Sequence, residues 1–180
     1  VGVGARVVNR AVDVAALVDL TVIAVPDDVV ERVAVDLAAA DWQGKAAVHT
    51  CGSKDSAALT ALAQRGALTG TLHPAYPFAS VETAINGLPG AAFAIEADEP
   101  RLLAWLVELV TALDGHVLNI PPGQKVLYHA ALVIASNYAV TLYAVAEALL
   151  LDIGAERTAA DAALNALVDG TVENLRAQGI

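Results

Sequence analysis

An α/β fold, a parallel sheet leading into an all-helical C-terminal part, is predicted by three observations. Short β-branched runs alternate with stretches of helical periodicity as far as residue 120. The first run, Asp19–Val25, is apolar almost throughout, as a strand covered on both faces of a parallel sheet must be. After Pro121-Pro122-Gly123 no run has the composition of a strand.

The elements follow in order. The first strand stops at Pro26. A proline followed by Asp27 and Asp28 suits a first helical turn, where a missing N–H is harmless and carboxylates meet the positive end of the dipole. That helix should reach about Ala40. A second strand is Ala46–His49, and the loop Thr50–Lys54 leads to a helix from Asp55 to Arg65. The third strand, Thr69–Leu72, ends at His73-Pro74. A proline-containing loop and a short helical stretch near Val81–Ile85 precede a fourth strand, Ala91–Glu96. Helical periodicity returns over Glu99–Leu113, closes at Gly115, and gives way to a fifth strand, His116–Ile120. Such alternation predicts right-handed crossovers, with the carboxyl ends of the strands on one rim. One long helix should run from Gln124 to Asp152, and one or two more should fill Ala155–Gln178 around Gly170. The domain boundary is placed near Pro121, giving parts 1–120 and 121–180.

Composition narrows the partners. With 57% hydrophobic residues in 180, the chain can build a sizeable core, and a net charge of −10 argues against nucleic acid or anionic membrane. Cys51 is the only cysteine, so neither an intrachain disulfide nor a paired-cysteine metal site is available, and a cytoplasmic location is expected. No metal is expected. Val126–Leu151 is apolar enough to suggest a membrane span. It carries His129, Ser136, Asn137 and Glu147, which are costly at membrane depth, so a buried bundle helix is expected. The chain starts at Val1 with no signal-like segment, and is expected to be a fragment lacking both ends.

In open parallel sheets, ligands bind outside the carboxyl ends of the strands. The residues there are Pro26 and Asp27, then His49, Thr50, Cys51, Gly52 and Ser53, then His73 and Pro74, then Pro121–Gly123. On the long helix, Lys125, His129 and Ser136 fall within about 40° of one another at 100° per residue, flanked by Tyr128 and Asn137. His49, His73 and His129 should converge. His116 opens a strand, so it is expected at the opposite rim in a structural role. Gly2-Val-Gly4 lacks a preceding strand and is not taken as a cofactor loop.

Several segments together resemble a known family. They are Asp19–Asp28, His49–Gly52, Leu72–Pro74 with Phe78, Lys125–Ala131, Ser136–Tyr138 and Glu173-Asn174. The resemblance is to a bacterial family that joins a Rossmann-like domain to a domain of unknown function. It is related to deazaflavin-dependent NADP oxidoreductases and to the 6-phosphogluconate dehydrogenase group, with its helical C-terminal domain. The resemblance implies a truncated Rossmann sheet over 1–120 as an incomplete dinucleotide-binding domain. It also implies a helical substrate and dimerisation domain over 121–180, likewise incomplete. The first glycine-rich loop would be missing from this chain. The activity implied is an NAD(P)-dependent oxidoreductase, using NADP or NAD, acting on a small polar metabolite in the interdomain cleft of a homodimer. Lys125 matches a catalytic lysine, and His129 stands where related dehydrogenases have asparagine; an imidazole suits general acid catalysis. His73, Ser136 and Asn137 would meet the substrate, and Pro26, Asp27, His49, Thr50 and Gly52 the cofactor. Cys51 replaces the family's usual serine. A non-catalytic dinucleotide- or metabolite-binding regulatory protein is the alternative, since one fold supports both.

Overall fold

A computed structural model describes Gly4 and residues 6–179. The Gly2-Val-Gly4 pattern therefore lies largely outside the described residues. The chain divides into two compact units, Val1–Ala130 and Ala131–Ile180.

In the first unit a short helix, α1 (Ala11–Leu17), precedes the sheet and was not expected from the sequence. The strands are β1 (Leu20–Ile23), β2 (Ala46–His49), β3 (Leu68–Pro74), β4 (Ala92–Ala97) and β5 (His116–Asn119). They lie side by side in chain order. Between them come α2 (Val30–Leu37), α3 (Thr60–Ala63), α4 (Val81–Gly87) and α5 (Pro100–Ala112). Tight 3-10 turns at Asp27–Val29 and Ser56–Leu59 lead into α2 and α3.

The sheet is not wholly parallel. β1, β2 and β3 run together, β4 runs antiparallel to β3, and β5 runs parallel to β4. The expectation of four or more parallel strands is corrected here, and the connection explains why. A parallel crossover needs an element that packs back across the sheet. Between β3 and β4 the chain offers only the seven residues of α4, on which Val81 and Ile85 are exposed. Its start is fixed by a capping box, in which the Ser80 hydroxyl accepts from the Thr83 N–H.

The inversion depends on an overhang. β2 ends at His49, paired with Thr71, whereas β3 continues through Leu72, His73 and Pro74. Those three residues pair with Ile95, Ala94 and Phe93 of the descending β4. β5 therefore ends at Asn119 beside Ile95, with the Ile120 N–H donating to the Ile95 carbonyl at 3.1 Å. The chain leaves the sheet close to the level at which β2 ends. His116, expected at the far rim, instead opens β5 beside Ala92, toward the Pro74 end of β3, and is exposed.

Period-two alternation divides the core between the two faces. Ala47 and Ile23 point to one face, packed with Val30, Ala34, Leu37, Trp42, Leu59 and Leu62. Val48, Leu72, Phe93 and Ile95 point to the other, under Leu102, Leu106 and Val110 of α5. Each layer holds one tryptophan. Trp42 is fully buried in the first, its Nε1–H donating to the Leu37 carbonyl at 2.9 Å. Trp105 packs against the second, with the Arg101 guanidinium 4.7 Å from its ring centroid. Gly70 sets the β3–β4 approach, since a Cβ there would lie 2.5 Å from the Glu96 carbonyl oxygen.

After β5 come α6 (Lys125–Val133), a π-turn at Ile134–Tyr138, and α7 (Ala139–Asp152). The helical stretch Lys125–Asp152, of 28 residues, is long and apolar enough to cross a membrane. In the second unit α7 packs on α8 (Arg157–Gln178), one helix that runs through Gly170 without a break. Arg157 pairs with Glu147, and the Tyr143 hydroxyl donates to Asn165 Oδ1 at 2.9 Å. Leu142, Val145 and Leu149 of α7 are exposed, not buried as a bundle helix would have them.

Candidate active site

The site begins with a row of residues in register across the sheet. Ile23, His49, Thr71 and Glu96 are successive partners, so their side chains share one face. His49 and Thr71 are fully buried, and Glu96 is 5% exposed. Polar groups are costly in such a row unless something satisfies them.

His49 is satisfied within the fold. Its Nδ1 accepts from the Cys51 N–H at 3.2 Å, which leaves Nε2 to donate to the Asp55 carbonyl at 2.9 Å. Burial holds its pKa below the ordinary imidazole value. With both ring nitrogens engaged, His49 braces the loop 50–55 and has no free nitrogen to offer a ligand. Asp55 in turn caps the next turn, its carboxylate accepting from the Ala57 N–H at 3.1 Å. Cys51 is buried, with Sγ 3.3 Å from Ser53 Oγ.

The braced loop presents Gly52 to two imidazoles. A Cβ on Gly52 would sit 2.8 Å from His73 Nε2 and 3.1 Å from His129 Nδ1. His73, on the β3 overhang, and His129, on the first turns of α6, thus converge over a bare backbone. The His73 Nδ1 lies 2.7 Å from the Tyr128 hydroxyl, with the rings edge to face. Burial, reinforced by the positive charge of Lys125, pushes the His73 pKa down to about 4, and burial pushes the Tyr128 phenol up to about 12. Near neutral pH, Tyr128 is thus an O–H donor and His73 a neutral acceptor whose Nε2–H is turned toward Gly52.

Lys125, the first residue of α6, is 2% exposed. Its Nζ lies 5.4 Å from the Tyr128 ring centroid. Burial lowers its pKa, and the Glu96 carboxylate opposes that shift. Glu96 is raised by its own burial, with Lys125 opposing. Among the described residues, Lys125 Nζ, Glu96 Oε2, Thr71 Oγ1 and His129 Nδ1 are buried polar atoms without a hydrogen-bond partner. Native proteins hold few such groups; here Thr71 and Glu96 are cross-strand neighbours on one face of the sheet, and Lys125 and His129 lie one turn apart on α6. Two are anionic or hydroxyl acceptors and two are nitrogens, a set able to engage a molecule with both donor and acceptor atoms.

At the strand ends lies a cleft of about 500 Å³, bounded by Val25, Pro26, Thr50, His73, Tyr76 and Phe78. The Tyr76 and Phe78 rings meet edge to face at 5.6 Å. Of the residues expected to bind cofactor, Pro26 and Thr50 line this cleft, Asp27 is exposed on the turn that follows, Gly52 is buried and His49 stands behind the loop. Of those expected to bind substrate, His73 belongs to the cluster, while Ser136 and Asn137 are exposed on the π-turn of the second unit. The π-turn also breaks the 100° spacing that placed Ser136 in line with Lys125 and His129. Thr71 and Glu96 were not anticipated. Their signal was faint: a lone acid closing the apolar run Ala91–Ile95.

Residues 91–180 match the profile of a domain of unknown function, DUF2520, and residues 5–74 match that of a Rossmann-like domain. This chain belongs to the DUF2520 family. The DUF2520 chain is similar in structure to protein TM1727 from Thermotoga maritima, at a TM-score of 0.71 and 25% identity, over 87% of this chain and 58% of that one. It is similar in fold to pyrroline carboxylate reductase from Plasmodium falciparum with NADP bound, at a TM-score of 0.67 and 12% identity, over 94% and 62%. It is also similar in fold to a reductive aminase from Aspergillus terreus in complex with NADPH and ethyl levulinate, at a TM-score of 0.63 and 20% identity, over 89% and 56%. The DUF2520 chain spans less than two thirds of each of these structures. Among curated proteins, none matches it in sequence.

Proposed function

We propose that the DUF2520 chain carries the reaction end of an NAD(P)-dependent oxidoreductase acting on a carbon–oxygen or carbon–nitrogen bond of a small polar metabolite. The observation that carries this reading is the set of four buried, unpartnered polar atoms, together with a strand-end cleft lined by His73, which meets His129 over Gly52. The NADP and NADPH held by two structures of the same fold support it. The cleft between Pro26, Thr50 and the Tyr76–Phe78 pair is of a size to take a planar ring with its sugar, and Pro26 and Thr50 would hold that end. Bound there, NADPH would supply a hydride.

The chain's own residues do the rest. Lys125, as a buried ammonium, holds a proton for the heteroatom of the substrate. His129, one turn on, shares or returns it. His73 is kept neutral and points an N–H at the same space. Gly52 lets both imidazoles close on the substrate without a side chain between them. Asp27 would contact the sugar of the cofactor. The protein would work as a cytoplasmic homodimer built on its helical part.

The test has two steps. NADPH and NADH are first titrated against the protein in a thermal-shift experiment, where binding to the native state alone raises the midpoint. A rise with either is expected, and no rise with both would end the reading. His129→Ala and Lys125→Met should then each lower turnover about a hundredfold or more on a panel of carbonyl and imine acids. Binding with no turnover across that panel would favour the regulatory alternative.

A further inference from the structure

Glu96 is the residue that the proposed chemistry does not yet use. It is the penultimate residue of β4, in register with Thr71, and its Oε2 is buried with no partner. A side chain that merely filled this face would be apolar, or would find hydrogen bonds for both oxygens. Lys125 has the complementary defect, a buried Nζ with no partner. The two feel each other's charge, yet they form none of the ion pairs within 4 Å among the described residues. A carboxyl group and an amine are thus both buried without closing on each other.

The other groups facing Lys125 do not substitute for Glu96. Asp55 and Cys51 reach it from the loop after β2, but Asp55 is exposed and its carboxylate is spent on the Ala57 N–H. His49 and His73, from β2 and β3, would repel the ammonium if charged. Tyr128, from the same turn of α6, is a phenol that stays protonated. Glu96 is the buried carboxylate in the set.

We propose that Glu96 is a positioning residue that keeps Lys125 an ammonium and aims it at the substrate's heteroatom. This rests on Lys125 as the proton donor. In the step concerned, the proton passes from Nζ to the heteroatom that gains a lone pair as hydride reaches carbon. The neutral amine left on Lys125 regains a proton from water, and Glu96 remains a carboxylate throughout. An unclosed pair suits this role, because a tight ion pair would hold back the proton that must leave.

The sequence contains three lysines, Lys45, Lys54 and Lys125, so their ¹³Cε resonances can be followed by NMR as pH is raised on the whole protein without substrate. Lys45→Arg and Lys54→Arg assign the signals. Glu96→Gln keeps the shape of the side chain and removes its charge. Loss of the anion disfavours the ammonium, so the Lys125 midpoint should fall by about one pH unit or more, while those of Lys45 and Lys54 stay in place. Glu96→Asp should restore part of the shift. A Lys125 midpoint that stays in place or rises in Glu96→Gln overturns the proposal. Should Glu96→Gln fail to fold, the Glu96 ¹³Cδ titration in Lys125→Met answers the same question from the other side. Loss of the ammonium should raise the Glu96 midpoint, and an unmoved one overturns the proposal. If instead Lys125→Met retains full turnover, the reading of Lys125 as proton donor fails, whatever the resonances show.

Discussion

His73 is neutral because it is buried beside a cation, and that has a measurable cost in acid. The unfolded chain takes up the imidazole proton near pH 6.5, whereas the folded protein resists it down to about 4. The unfolded state therefore binds more protons in this window. The stability that goes with a neutral His73 is complete above pH 6.5 and drains away as pH falls toward 4, on the order of 2 kcal/mol once solvent screening of the partly exposed ring is allowed for. Urea unfolding of the wild type and of His73→Gln between pH 7.5 and 4 should show the wild type losing this extra amount; parallel curves would mean that His73 is not held neutral. Gly52 makes a second case at this scale. Its backbone does not need a positive φ, so alanine fits the chain, but the new methyl would press on His73 Nε2 and His129 Nδ1. Gly52→Ala is expected to fold with little change in melting temperature and to lose about ten- to a hundredfold in turnover, as misplaced catalytic groups do. Undiminished turnover would show that the two imidazoles need not converge.

At the scale of elements, the β3 overhang decides what the site contains. Had β4 run parallel to β3, Glu96 would have finished its strand at the rim, in water. Because β4 descends, the end of its apolar run comes to rest beside Thr71, in the interior. This is why Glu96 was not legible in the sequence while the strand that carries it was. All five strands could be read to within a few residues, from β-branched runs and the prolines and glycines that stop them. Periodicity records which face a side chain takes and how long a strand lasts, but not its direction, so the inversion was invisible. His73 and Lys125 were legible because strand ends and helix starts carry chemistry in such sheets, whereas Ser136 was misplaced by a π-turn that has no simple sequence mark. The inversion also leaves a testable point of strain. Gly70 admits the Glu96 carbonyl where a Cβ would overlap it, and backbone cannot swing aside as a side chain can. Gly70→Ala should destabilise the fold by about 1–3 kcal/mol, measured by urea unfolding, and should do so far more than Gly154→Ala corrected for its positive φ. A neutral Gly70→Ala would mean that β3 and β4 separate easily.

For the molecule as a whole, the exposed apolar residues of α7 need an occupant. Leu142, Val145 and Leu149 are the residues on which we rest the homodimer. Sedimentation at micromolar concentration should give twice the chain mass, and Leu142→Glu with Val145→Glu should return it to one. A wild type that sediments as a monomer, or that partitions into lipid vesicles, would remove the dimer. The two tryptophans offer a different kind of readout. Trp42 lies in the layer on one side of the sheet and Trp105 in the layer on the other, and the sequence holds no third. Each single-tryptophan protein, Trp105→Phe or Trp42→Phe, is therefore a fluorescent gauge of one layer. Because both layers share the same five strands, the two gauges should report one midpoint in denaturant. The second unit, which has no indole of its own, can melt in silence, so its loss should register in far-ultraviolet circular dichroism before either fluorescence signal moves.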